Sequence, residues 1–167
     1  MNLEAINAWT DDEARASFRR CCGSTRWCER MIRLRPFESE AALVEAAERV
    51  WRALSLDDWL EAFAAHPKIG ECGGLRAEFA RTAQESAREQ AGALGASDDV
   101  FRQLAQENRR YEQRFGFIFI VCATGKSAEE MLNLLRRRLT NTAGEELEIA
   151  AAEQLKITRI RLERIAP

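Results

Sequence analysis

At 167 residues, with 25 lysines and arginines against 27 aspartates and glutamates, the chain has the size of one globular domain and lacks the excess positive charge that would neutralise a nucleic-acid backbone. Alanine, leucine, arginine and glutamate dominate, prolines number three, and β-branched residues are sparse outside one short run. The composition therefore argues against a sheet-built fold and predicts an all-α one.

Capping boxes mark the expected helix starts: a hydroxyl and a carboxylate three residues later satisfy each other's backbone donors. Thr10 with Glu13, Ser55 with Asp58, Ser127 with Glu130 and Thr142 with Glu145 fit the pattern. The run "TDDEARASFRRCC" ends at Gly23, "SEAALVEAAERVWRAL" gives way at Ser55, and "SLDDWLEAFAAHP" is stopped by Pro67, because proline disfavours helical geometry at the preceding residue. Beyond Gly70, Gly73 and Gly74 a long helix is expected through "LRAEFARTAQESAREQAGAL" to Gly95, then another from Ser97 to Phe115. The last two are "SAEEMLNLLRRRL" and "TAGEELEIAAAEQLKITRIRLERI".

One run breaks the helical pattern. "FGFIFIVCATGK" reads as a buried strand by itself, but no second run of that kind exists to pair with it. It is expected to be an extended or irregular segment whose backbone polar groups need partners outside a ladder, a ligand among them. The fold expected is a single-domain bundle over residues 1–167, of about seven to nine helices with this one extended apolar segment through the core.

Targeting signals are sparse. No segment approaches the roughly 20 apolar residues of a membrane span, the N-terminal stretch lacks a basic start with an apolar core, and "RLERIAP" is not an SKL-type address. A soluble cytoplasmic protein is expected, with neither membrane nor nucleic acid as partner. Cys21, Cys22, Cys28, Cys72 and Cys122 form no CxxC pair and are odd in number, which suits reduced, mostly buried thiols.

Four candidate chemistries can be weighed. "TGKS" resembles the end of a phosphate-binding loop, but the required glycine five positions before Gly125 is Ile120, so Gly125 is better read as a loop residue and Ser127 as a helix cap. A zinc site is disfavoured because His66 is the one histidine. Cys72 near His66 suggests a thiolate pair, yet cysteine is among the most buried residue types and an inert thiol is the stronger reading. His66 itself suits a general acid or base, its ordinary pKa lying nearest working pH, and it equally suits the C-terminal end of a helix, where a protonated imidazole complements the dipole.

Taken together, "HPKIG", "SAREQ", "FGFIFIVCATGKS", "RLTNTAGEELEIAAAEQLKI" and "RIRL" resemble the OHCU decarboxylases, in the family's order, from about residue 60 to the end. The resemblance implies an all-α, commonly homodimeric, cofactor-free enzyme. Its substrate would be the small molecule 2-oxo-4-hydroxy-4-carboxy-5-ureidoimidazoline (OHCU), a late intermediate of urate oxidation, and its product (S)-allantoin. It implies His66 and Glu89 as the catalytic pair, with Pro67, Ser86 and Gln90 at the substrate. The backbone of Phe119, Ile120, Val121, Cys122 and Ala123 would hydrogen-bond the heterocycle and ureido group, and Arg161 would bind the polar or anionic end.

The residue spacing bears on some of these roles. Ser86, Glu89 and Gln90 fall on neighbouring positions of a helix, although a solvated face has the same pattern; Arg161 sits among Arg159 and Arg164, as surface arginines do. A carboxylate at Glu89 would favour the protonated imidazole. The other readings are a helical binding or scaffolding domain without turnover, and a ureide hydrolase of the same pathway.

Overall fold

The computed structural model describes residues 1–67 and 98–165. Eight α-helices and no strand occur among these described residues: α1 (Leu3–Ala8), α2 (Asp11–Cys21), α3 (Thr25–Arg33), α4 (Glu40–Arg52), α5 (Leu56–Ala64), α6 (Asp98–Phe115), α7 (Ala128–Arg138) and α8 (Ala143–Glu163). The fold is all-α, as composition predicts. The glycine-containing turn and the helix expected over "LRAEFARTAQESAREQAGAL" lie outside the described residues, as do Cys72, Ser86, Glu89 and Gln90.

All four expected capping boxes form. Thr10, Ser55 and Ser127 each accept from the backbone N–H three residues on, and the carboxylates of Glu13, Asp58 and Glu130 return the bond to the cap. Thr142 and Glu145 exchange the same pair of bonds, at 2.9 and 3.3 Å. Helices α1 and α3 carry no such signature. Asn2 and Ser24 cap them by accepting from Ala5 and Trp27, residues with no carboxylate to reciprocate.

The chain divides into two compact units, Met1–His66 with Ala151–Pro167, and Pro67–Ala150. In the first, Ile6, Phe18, Trp27, Met31, Leu43, Trp51, Phe63 and Leu162 are buried, each such side chain contributing about 1.5–3 kcal/mol relative to exposure. Phe18 and Trp27 meet edge to face with centroids 5.9 Å apart. The indole N–H groups are also satisfied: Trp27 donates to Ala47 O at 3.1 Å, and Trp51 to Ala151 O at 3.0 Å, tying α4 to α8 near its middle. Gly23, between α2 and α3, lies so close to the end of α5 that a Cβ there would stand 2.3 Å from Ala65 Cβ. The missing side chain lets the residue just before His66 seat against the α2–α3 turn.

In the second unit α6 packs on α7, and Leu104, Tyr111, Met131, Leu132, Leu135 and Ala150 are buried. Residues 117–123 are neither helix nor strand, and Phe117, Ile118, Phe119, Ile120 and Cys122 are buried. With no ladder available, side chains serve the backbone. Asn108 Oδ1 accepts from Phe119 N–H at 3.1 Å, Arg138 Nη1 donates to Ile120 O at 2.8 Å, and Lys126 Nζ donates to Cys122 O at 2.8 Å. The "TGKS" sequence is thereby accounted for: Gly125 takes a positive φ of 75° in a turn, Lys126 is engaged by a carbonyl, and Ser127 caps α7. No helix among the described residues is long and apolar enough to cross a membrane.

Candidate active site

Helix α5 ends at Ala64, where Ala65 still has helical geometry and His66 N–H bonds back to Phe63 O at 3.1 Å. Pro67 follows, exposed. The end of α5 thus fixes the backbone of His66, and α8 holds its ring. Nε2 lies 2.6 Å from Oε1 of Gln154. Gln154 is fully buried and donates through its own Nε2 to Thr158 Oγ1 at 3.2 Å; Thr158, also buried, reaches Cys21 O at 3.5 Å. A histidine at a helix end here acquires a second anchor that a fraying side chain would lack.

Arg161 lies one turn beyond Thr158 on the same face of α8. It is half-buried, donates to Arg20 O at 3.4 Å near the C-terminus of α2, and its charge acts on His66. Burial first, and Arg161 second, push the proton affinity of His66 below its ordinary value, while the bond to Gln154 opposes them. The expectation of a protonated ring rested on Glu89, outside the described residues; the described surroundings favour the neutral imidazole.

In the other unit, the segment expected to bind substrate through its backbone has Phe119, Ile120 and Cys122 buried, with Val121 and Ala123 half-buried. A buried pair braces it. Arg138 Nε donates to Glu146 Oε1 at 2.7 Å, and the guanidinium lies 4.6 Å from the Phe119 ring centroid while holding Ile120 O. The hydroxyl of Tyr111 donates to Glu146, and Asn141 Nδ2 donates to its other oxygen at 2.8 Å. Burial, then Glu146, push the Tyr111 phenol above its usual range.

Sequence reasoning missed Gln154, Thr158, Asn108, Arg138 and Glu146 as supporting residues. Gln154 and Thr158 are four apart in a helical run and so share a face, a spacing visible in "EQLKIT". Nothing local marks Asn108, whose role depends on a segment eleven residues away.

The OHCU decarboxylase family model matches residues 7–163. The chain belongs to the OHCU decarboxylase family. It is 40% identical over 148 residues to the uric acid degradation bifunctional protein of Arabidopsis thaliana, covering 87% of this chain and 45% of that protein; it thus spans less than half of that relative. The 2-oxo-4-hydroxy-4-carboxy-5-ureidoimidazoline decarboxylase of Haloferax volcanii is 27% identical over 165 residues, covering 97% of this chain and 94% of its own.

Among solved structures, a crystal structure of OHCU decarboxylase in the presence of (S)-allantoin superposes with a TM-score of 0.74 at 36% identity, over 93% of this chain and 97% of that one. A crystal structure of (S)-allantoin synthase gives a TM-score of 0.73 at 18% identity, over 99% of this chain and 54% of the other, and shares the fold.

Proposed function

We propose that this chain catalyses the cofactor-independent decarboxylation of 2-oxo-4-hydroxy-4-carboxy-5-ureidoimidazoline to (S)-allantoin in urate degradation. Within the family, the observation that carries this reading is His66, anchored by Gln154 and held toward its neutral form with the charge of Arg161 beside it.

The chemistry follows from the substrate. When the bond to the carboxylate breaks and carbon dioxide leaves, its electron pair forms a ring C=C, and the electrons of the adjoining C=N move to nitrogen, which takes up a proton. The ring's own C=N thus does what an electron-sink cofactor does elsewhere. The resulting ene-ol becomes allantoin when the hydroxyl loses a proton and the carbon bearing the ureido group gains one, so one proton is consumed overall. Neutral His66 takes the hydroxyl proton as base and returns one to carbon as acid, and delivery to a single face gives one enantiomer.

Glu89 is assigned to work with His66 in these transfers. Arg161 is assigned the anionic end of the substrate, and Pro67, Ser86, Gln90 and the backbone of Phe119, Ile120, Val121, Cys122 and Ala123 the rest of it. The family resemblance further supports a homodimer working in the cytoplasm.

The direct test generates the intermediate from urate in situ and follows its disappearance. His66→Ala should lose about 10²- to 10⁴-fold in rate, the usual worth of acid–base assistance. A variant as fast as the parent removes His66 from the mechanism.

A further inference from the structure

We infer that Gln154, held by Thr158, fixes the tautomer of His66 so that Nε2 carries the ring proton and Nδ1 exchanges protons with the substrate. The proton-exchange half of this statement rests on the decarboxylase reading; the tautomer half does not.

The direction of the hydrogen-bond chain decides the tautomer. It ends at Cys21 O, a carbonyl that only accepts, so the Thr158 hydroxyl spends its one proton there. Thr158 Oγ1 then faces Gln154 with a lone pair and accepts from the amide nitrogen at 3.2 Å. That bond turns Gln154 Oε1 toward His66. An amide oxygen accepts only, so the imidazole nitrogen 2.6 Å away must be the protonated one.

Gln154 and Thr158 are 0% and 1% exposed, so bulk water does not compete for these groups or reverse the chain. With Nε2 committed to Gln154, Nδ1 is the ring atom left to take and return a proton. Among the described residues the charge acting on the ring is that of Arg161, on the same face of α8. Gln154 and Thr158 are positioning residues, acting on the reaction only through the orientation and protonation of His66.

Because His66 is the one histidine, ¹⁵N-histidine labelling gives a single imidazole spectrum. In the parent protein above the imidazole pKa, the expected spectrum has a protonated-type Nε2 and an unprotonated-type Nδ1. Gln154→Leu should lose this fixed tautomer and show the mixed spectrum of a free ring. Its kcat should fall by roughly 10²-fold with little change in KM, as expected when acid–base assistance is impaired and binding is not.

Gln154→Glu keeps an acceptor at the same place. It should retain the Nε2–H tautomer, recover most of kcat, and move the acidic limb of the pH–rate profile upward because a carboxylate favours the protonated ring. A parent spectrum with Nδ1 protonated, or a fixed Nε2–H spectrum unchanged in folded Gln154→Leu, overturns the tautomer assignment. The predicted spectra in a parent protein without decarboxylase activity would overturn the proton-exchange role and leave the tautomer assignment standing.

Discussion

Arg138 and Glu146 form an ion pair at 2.6 Å with side chains 8% and 0% exposed. Their geometry is better explained by what they hold than by net attraction, since removing two charges from water costs much of what their pairing returns. Arg138 spends its remaining donors on Ile120 O and Tyr111, and Glu146 accepts from Tyr111 and Asn141. The network replaces the missing neighbouring strand of the irregular segment.

Breaking one side of that pair leaves a buried charge alone. Glu146→Ala should therefore lower stability by about 3–5 kcal/mol in a denaturant titration. A loss below about 1 kcal/mol would show that the pair is not buried in solution as described.

Gly23→Ala tests the approach of α5 to the α2–α3 turn. The added methyl meets Ala65 Cβ, which sits directly on the backbone and cannot swing aside. Overpacking of this kind costs about 1–3 kcal/mol, and the displacement falls on the residue before His66, so kcat should drop alongside the melting temperature. An unchanged melting temperature and kcat would contradict the close approach.

The lowered proton affinity of His66 has a defined sign. Below about pH 6.5, the ordinary histidine value, the unfolded chain takes up a proton that the folded ring resists. Stability from this group is thus complete at neutral pH and is lost as pH falls from that value toward the folded pKa. Comparing parent and His66→Gln by urea unfolding at several pH values isolates it, because the carboxylates common to both cancel. The acidic limb of kcat/KM should likewise lie below about 6.5, burial and Arg161 outweighing the carboxylate assigned at Glu89; a limb above it would show that the carboxylate dominates at the ring.

The cysteines make a chemical prediction. Burial pushes the thiols of Cys21 and Cys22 up to about 12 and that of Cys28 to about 11, and none of the three is joined in a disulfide. Iodoacetamide at pH 8 should leave Cys21, Cys22 and Cys28 unmodified in the folded protein and alkylate them in urea, as peptide mapping will read. Rapid alkylation of Cys28 before unfolding would count against its burial.

The legibility of the chain in its sequence varied with how local each cause was. Capping boxes at Thr10, Ser55, Ser127 and Thr142 need only four consecutive residues, and all four formed. Helices α1 and α3 begin at caps with no reciprocal carboxylate and left no comparable mark. "FGFIFIVCATGK" betrayed its lack of ladder partners but not the identity of Asn108, Arg138 and Lys126 as substitutes, because those are chosen by packing.

His66 shows the same division. Pro67 made the end of α5 visible, whereas the anchor at Gln154 lies 88 residues away. Its proton affinity, lowered by burial and by Arg161, is likewise a tertiary property. The motifs carried the family; the supporting bonds required the fold.

Stereospecific decarboxylation is tested most directly by the optical activity of the product. With the intermediate generated from urate in situ, added protein should accelerate its loss and yield circular dichroism of (S)-allantoin alone. Slow formation of racemic allantoin, unchanged by the protein, would contradict the account.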